Sequence, residues 1–151
     1  MRPTVEEQLQ GTCRILENVV APCVADPYAR TLLASLIGNL RMLSGAFPAI
    51  PGFLAGDNRS TAALLGQLEA VVEPDLAARI GTALAQAEPD ATDMRLLEQR
   101  NCQLRELLSQ ALCGTGLTPD LQAAALAHMS ARAARAPMRY VSTMSTTTKP
   151  T

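Results

Sequence analysis

A chain of 151 residues with an apolar fraction of 48% is long enough to bury a core and too apolar for wholesale disorder. Its formal net charge of -1 offers no global pull toward nucleic acid or an anionic membrane. A single histidine and an aromatic share of 3% exclude most imidazole-based sites and leave the core to Leu, Ala, Val, Ile and Met, with Ala and Leu above all favouring helices.

Helix-start signals recur along the sequence. Thr4 and Glu7 have the spacing of a capping box, and behind them Val5, Leu9, Thr12, Leu16, Val19 and Val20 recur at helical spacing until Pro22. Asp26-Pro27 opens a second helix with a wide apolar face of Leu32, Leu33, Leu36, Ile37, Leu40 and Leu43, for which Gly45 is the expected stop. The short link predicts that these two helices form an antiparallel hairpin. Residues 45–58, with Pro48, Pro51, Gly52, Gly56, Phe47 and Phe53, read as a longer connection anchored by two aromatics.

Asn58 or Ser60 is then expected to cap a third helix marked by Leu64, Leu65, Leu68, Val71 and Val72. Pro74 restarts a short fourth helix carrying Leu76, Ile80 and Leu84. The fifth is expected from Asp90 to about Cys113, with Gly114 and Gly116 as stops. The sixth opens at Thr118-Pro119, includes Leu121, Leu126 and Met129, and ends before Pro137. The Ser/Thr-rich residues 141–151 read as a flexible tail beyond a helical domain spanning 1–140. The fold class is therefore all-α: one bundle of five to six helices, with no strand and no internal repeat.

Chemically useful residues are scarce. His128 is a lone imidazole on an Ala-rich helix, with no HExxH or Glu-x-x-His partner. Cys13, Cys23, Cys102 and Cys113 have no CxxC spacing, and Cys102 and Cys113 lie three turns apart on one helix, too far to share an ion. They read as reduced thiols. Gly114-Thr115-Gly116 follows a helix rather than a strand and lacks phosphate-loop spacing. No catalytic residue, cofactor or metal is expected.

The fifth helix is more specific. Met94, Leu97, Asn101, Leu104, Leu108 and Ala111 occupy successive a and d positions, where a buried Asn101 can fix register between helices. Leu96, Leu107 and Leu112 widen the stripe, which favours packing inside the protein's own bundle over a dimer zipper. The last thirty-one residues carry Arg132, Arg135, Arg139 and Lys149 without an acid, whereas residues 1–120 carry nine arginines against fourteen acids. Asn101, Leu104, Arg105, Arg132, Arg135 and Arg139 are the candidate interaction surface. The 45–58 segment, the Asn101 helix and the basic C-terminal end are where function is expected to show.

Two stretches carry a resemblance. Arg2-Pro3-Thr4-Val5-Glu6-Glu7-Gln8-Leu9 through Ala21-Pro22 resembles the start of a small, uncharacterised bacterial all-helical domain. Ala136-Pro137-Met138-Arg139-Tyr140 is similar to that family's Asn-Pro-Arg-Tyr ending, with Ala136 and an inserted Met138 as departures, and the Leu97–Leu108 helix looks like segments within it. The resemblance implies association, by gene neighbourhood or fusion, with aminoglycoside-phosphotransferase-like kinases and acyl-CoA dehydrogenases. It supplies no catalytic residue.

The leading expectation is a non-catalytic accessory or interaction protein with a protein partner or a homo-oligomeric state, associated with such a phosphotransferase-like or acyl-CoA enzyme. The alternative is a small-molecule binder or minor enzyme that holds an anionic or acyl ligand between helices through Arg14, Arg30, Arg41 or His128. Binding of nucleic acid through Arg132, Arg135 and Arg139 is a third option and is not expected. Many arginines against one lysine point to a bacterial genome rich in GC. Glu6 and Glu7 replace the basic start of a signal peptide, and Ser35, Gly38, Asn39 and Arg41 interrupt the most apolar helix, so a cytoplasmic location without membrane contact is expected.

Overall fold

In the computed structural model, α1 (Val5–Ile15) opens with the capping box its sequence encodes: the Glu7 amide donates to Thr4 Oγ1 at 3.2 Å, and the Thr4 amide to Glu7 Oε2 at 2.8 Å. The structure describes residues 3–114 and 116–137; Arg139, Lys149 and the tail expected over 141–151 lie outside them. Pro22 cannot donate a hydrogen bond and crowds the preceding turn. Ahead of it the helix widens into a π turn over Leu16–Val20, then tightens into a 3₁₀ turn over Ala21–Cys23.

α2 (Pro27–Ala46) starts where Asp26 accepts from the Ala29 amide at 2.7 Å, and returns antiparallel to α1 as a hairpin. Cys13 of α1 and Ile37, Ser44 and Ala46 of α2 are the buried residues of this pair. Its polar side carries a surface ion pair, Arg41 Nη2 to Glu17 Oε2 at 2.7 Å.

The expectation of a loop over 45–58 and a stop at Gly45 is overturned. A 3₁₀ turn (Phe47–Ala49) carries α2 directly into α3 (Ile50–Leu68). Pro48 and Pro51 each fall in the opening turn of a helical segment, where a missing N–H costs little, and Gly45, Gly52 and Gly56 are helical. Asn58 and Ser60 are therefore not caps but interior helix positions. The joined segment Pro27–Leu68 runs 42 residues and passes the length and composition required of a membrane-crossing helix, against the expectation that no stretch approaches one.

α4 (Pro74–Leu84) follows a short turn with Pro74 at its first position. α5 (Met94–Leu112) begins four residues later than expected. Asp93 is its cap, accepting from the Leu96 amide, while Asp90 closes the preceding turn by accepting from the Thr92 amide and hydroxyl. Those two bonds hold the Asp90 carboxyl below its usual range. α6 (Pro119–Arg135) starts at the Thr118 cap.

The architecture is an all-α bundle with no strand among the described residues. Its core lies among α3, α4, α5 and α6: Leu64, Leu65 and Leu68 meet Ile80 and Ala83, Leu104, Leu107, Leu108 and Ala111, and Ala125. α3 against α5 is the largest contact. Each fully buried leucine there contributes about 1.5–3 kcal/mol. Leu126 and Met129 lie in α6 as expected but are exposed; Ala125 is the buried residue on that helix.

Candidate functional site: a buried polar cluster

The helical period places Phe53, Asp57 and Thr61 on one stripe of α3, four residues apart, with Asn58 beside them. His128 and Arg132 have the same spacing on α6. Antiparallel packing brings the two stripes into register: Thr61 Oγ1 lies 3.2 Å from His128 Nε2, and Arg132 Nε donates to Asp57 Oδ2 at 2.8 Å. The Arg132 guanidinium also rides 5.8 Å from the centre of the Phe53 ring. From α5, Asn101 Nδ2 donates to Asp57 Oδ2 at 2.8 Å and to Asn58 Oδ1 at 2.9 Å. Asn58 Nδ2 donates to the Leu97 carbonyl at 3.1 Å. Three helices are thus cross-linked by one set of polar contacts.

Asp57 is 1% exposed, and Asn58, Thr61 and Asn101 are also buried. A carboxylate in such a place is strongly destabilising unless a cation and donors meet it. Arg132 and Asn101 both supply Oδ2, and Oδ1 has no hydrogen-bond partner among the described residues. Burial holds the His128 imidazole below its ordinary value near 6.5. The Asp57 carboxylate opposes that shift; Arg135 and Arg132 add to it.

A buried cation, Arg100, closes the end of α4. Its Nη2 donates to the Ala83 carbonyl at 2.7 Å, and its Nη1 to Gln86 Oε1 and Gln103 Oε1. Ala83 lies at the helix end, where carbonyls lack intrahelical partners. Arg100 therefore caps the C-terminal end of α4 from the neighbouring helix.

The three stretches singled out from the sequence converge here: Asp57 and Asn58 from 45–58, Asn101 from α5, and Arg132 from the basic end. Their roles differ from a surface. Asn101 and Leu104 are interior, and the charge of Arg132 is directed at Asp57; Arg105 and Arg135 are exposed. Phe53, Asp57, Asn58, Thr61 and Arg100 were missed. The signal for Phe53, Asp57 and Thr61 was their 53, 57, 61 spacing, with Asn58 next to it, hidden because Pro51, Gly52 and Gly56 read as breakers. Arg100 carried no signal, since arginine on an amphipathic helix reads as exposed.

The cluster keeps Asp57, Asn58, Thr61 and Asn101 buried, with His128 and Arg132 only partly so. Its outer edge alone reaches solvent, where a shallow groove of about 190 Å³ between α5 and α6 is lined by Arg105, Leu108, Leu112, His128, Met129 and Arg132. A larger groove, about 320 Å³, runs along the hairpin beside Arg30, Leu33, Ile37 and Arg41. There Arg41 is paired with Glu17, and Arg30 Nη2 donates to the Val24 carbonyl at 2.8 Å. All four cysteines are free thiols, with Cys13 buried and the others exposed. No grouping of three metal-ligating side chains occurs among the described residues. The protein matches no family model, no curated protein and no solved structure.

Proposed function

We propose that this protein is a non-catalytic accessory factor that works through protein–protein contact at its N-terminal hairpin. The observation that carries this reading is the exposure of Ile15, Val19, Tyr28, Leu32 and Leu36 on a two-helix element that packs mainly on itself. Isolated exposed apolar residues are ordinary, whereas a run of them on adjoining helices marks an interaction site. The α3–α6 bundle then serves as the rigid base from which the hairpin is presented.

A photo-crosslinking residue in place of Leu36, introduced in the native host, is expected to give a discrete covalent adduct with protein. The same probe at Arg95, on the exposed side of α5, is expected to give none. Equal labelling at both places, or none at Leu36, removes the reading. The N-terminal resemblance alone suggests which enzymes such an accessory serves, the phosphotransferase-like kinases and acyl-CoA dehydrogenases, and co-purification with either is the corresponding check.

The α5–α6 groove favours a second reading, a site for a small anionic or acyl ligand, because it combines Arg105, Arg132 and His128 with Leu108, Leu112 and Met129. Its volume is below the several hundred Å³ of a typical ligand pocket, so only a short ligand fits. Titration with inorganic phosphate and short acyl carboxylates should shift the His128 ring resonances. Unchanged resonances at millimolar ligand dismiss this alternative.

A further inference from the structure

The α1–α2 hairpin and the α3–α6 bundle meet at one place. α1 and α2 contact each other and the turns joined to them, while α4, α5 and α6 each contact α3. The 3₁₀ turn Phe47–Ala49 is the element that makes substantial contact with both sides. Three polar contacts of the hairpin close within it: Arg41 meets Glu17, Arg30 meets the Val24 carbonyl, and Cys13 Sγ sits 3.9 Å from the Ile37 carbonyl. Beyond the turn, α3 is soon fixed to its neighbours. Arg132 covers Phe53 and pairs with Asp57, and Asn101 holds Asp57 and Asn58. Two separately braced bodies thus share one helical strut.

That strut is weakest at the turn. A continuous α-helix ties each amide to the carbonyl four residues back. Pro48 and Pro51 have no amide hydrogen for the Ser44 and Phe47 carbonyls, and the Ile50 amide donates to Phe47, three residues back. Helix-opening positions account for the two prolines, since a missing amide costs each segment little. They do not account for Gly45 and Gly52, one on either side of the turn. Both are helical, and a Cβ added at either meets nothing within 4 Å. Neither packing nor backbone conformation calls for glycine there, yet glycine weakens a helix relative to alanine.

We infer that residues 45–52 are a pivot on which the α1–α2 hairpin swings as one arm against the α3–α6 bundle. The burial of Cys13 and Ile37 holds the arm together on one side of the pivot, and the Arg132–Asp57 pair fixes the base on the other. α2 has 20 residues, about 30 Å at the helical rise, so a kink of about 20° carries its far end roughly 10 Å. Such a motion changes the angle at which the exposed residues of the hairpin are presented and leaves both packed bodies intact. It depends on the joint alone, whatever the hairpin contacts.

Spin labels on the native cysteines measure the swing. Cys23 lies at the far end of the hairpin and Cys102 on α5; both are exposed, whereas Cys13 is buried. In full-length Cys113→Ser protein, electron–electron double resonance between Cys23 and Cys102 should give a distance distribution several-fold broader than a pair inside the bundle. Asp75→Cys on α4 with Cys102, in Cys23→Ser/Cys113→Ser protein, supplies that reference. Gly45→Ala/Pro48→Ala/Pro51→Ala/Gly52→Ala restores two amides and fills open space at both glycines. It should keep the helical circular dichroism and narrow the Cys23–Cys102 distribution toward the reference. A distribution as narrow as the reference with the native joint overturns the pivot. So does a broad one that the alanine variant leaves unchanged, since the bending then lies elsewhere. A fixed hairpin that still gives the Leu36 crosslink overturns the pivot and leaves the accessory reading standing; a swinging hairpin without that crosslink does the reverse.

Discussion

The α3–α6 bundle and the α1–α2 hairpin are built from similar residues and reach opposite ends. In the bundle, leucines and alanines at helical spacing are buried, and the polar residues among them are tied to one another across three helices. In the hairpin, leucines and valines at the same spacing stay exposed, while the ion pair of Arg41 with Glu17 sits on the surface. The difference teaches that apolar periodicity reports a face to be covered and is silent about what covers it. The bundle closes on itself because four helices surround one core. Two helices leave one side of each without a neighbour.

This contrast predicts unequal costs for substitutions. Arg132→Met should be the most damaging, removing about 3–5 kcal/mol of unfolding free energy, because it leaves the buried Asp57 carboxylate without its cation. Urea unfolding followed by circular dichroism measures it, and a loss below about 1 kcal/mol would mean the cluster is not a lock. Leu104→Ala in the fully buried α5 stripe should cost about 2–5 kcal/mol. The same truncation at exposed Leu32 should fall within about 0.5 kcal/mol when both are measured on monomer.

Gly116→Ala should cost an intermediate 1–3 kcal/mol, roughly as for overpacking, since an added Cβ would come within 2.8 Å of the Val71 carbonyl oxygen. That oxygen is backbone and cannot swing away. A neutral result at this position would show that the α5–α6 connection yields freely.

The last contrast concerns pH. Burial depresses the His128 pKa in the folded state, so folding favours the neutral ring over its protonated form. The unfolded state therefore binds the extra proton first as pH falls. This contribution to stability is fully present above the unfolded value near 6.5 and is lost as pH falls through the lower, folded value. Unfolding free energies measured between pH 8 and about pH 5 should decline more steeply for wild type than for His128→Gln. Parallel curves would show that the imidazole stays solvated.

Three helix starts were legible from a cap and its partner within one turn. Thr4 with Glu7, Asp26 with Pro27, and Thr118 with Pro119 behave as their spacing predicts, because the bonds involved close locally. The 45–58 segment was misread because proline and glycine break helices by position, and position relative to the helix start was the unknown. Asn101 could be placed in the apolar seam, where it is buried, but it was also assigned to an interaction surface, where it does not lie. Its partners could not be identified, since Asp57 lies forty-four residues away and Arg132 lies seventy-five from Asp57.

By itself, the sequence determined the helical class, most helix starts, and which residues share a stripe, for these follow from hydrogen bonds and side-chain directions within a few residues. Tertiary structure alone decided that Asp57, Asn58, Thr61, Asn101, His128 and Arg132 form one cluster, and that the apolar stripe of α2 is left uncovered. Both depend on where distant helices come to rest. Burial and charge pairing are properties of that meeting, and no local pattern encodes it.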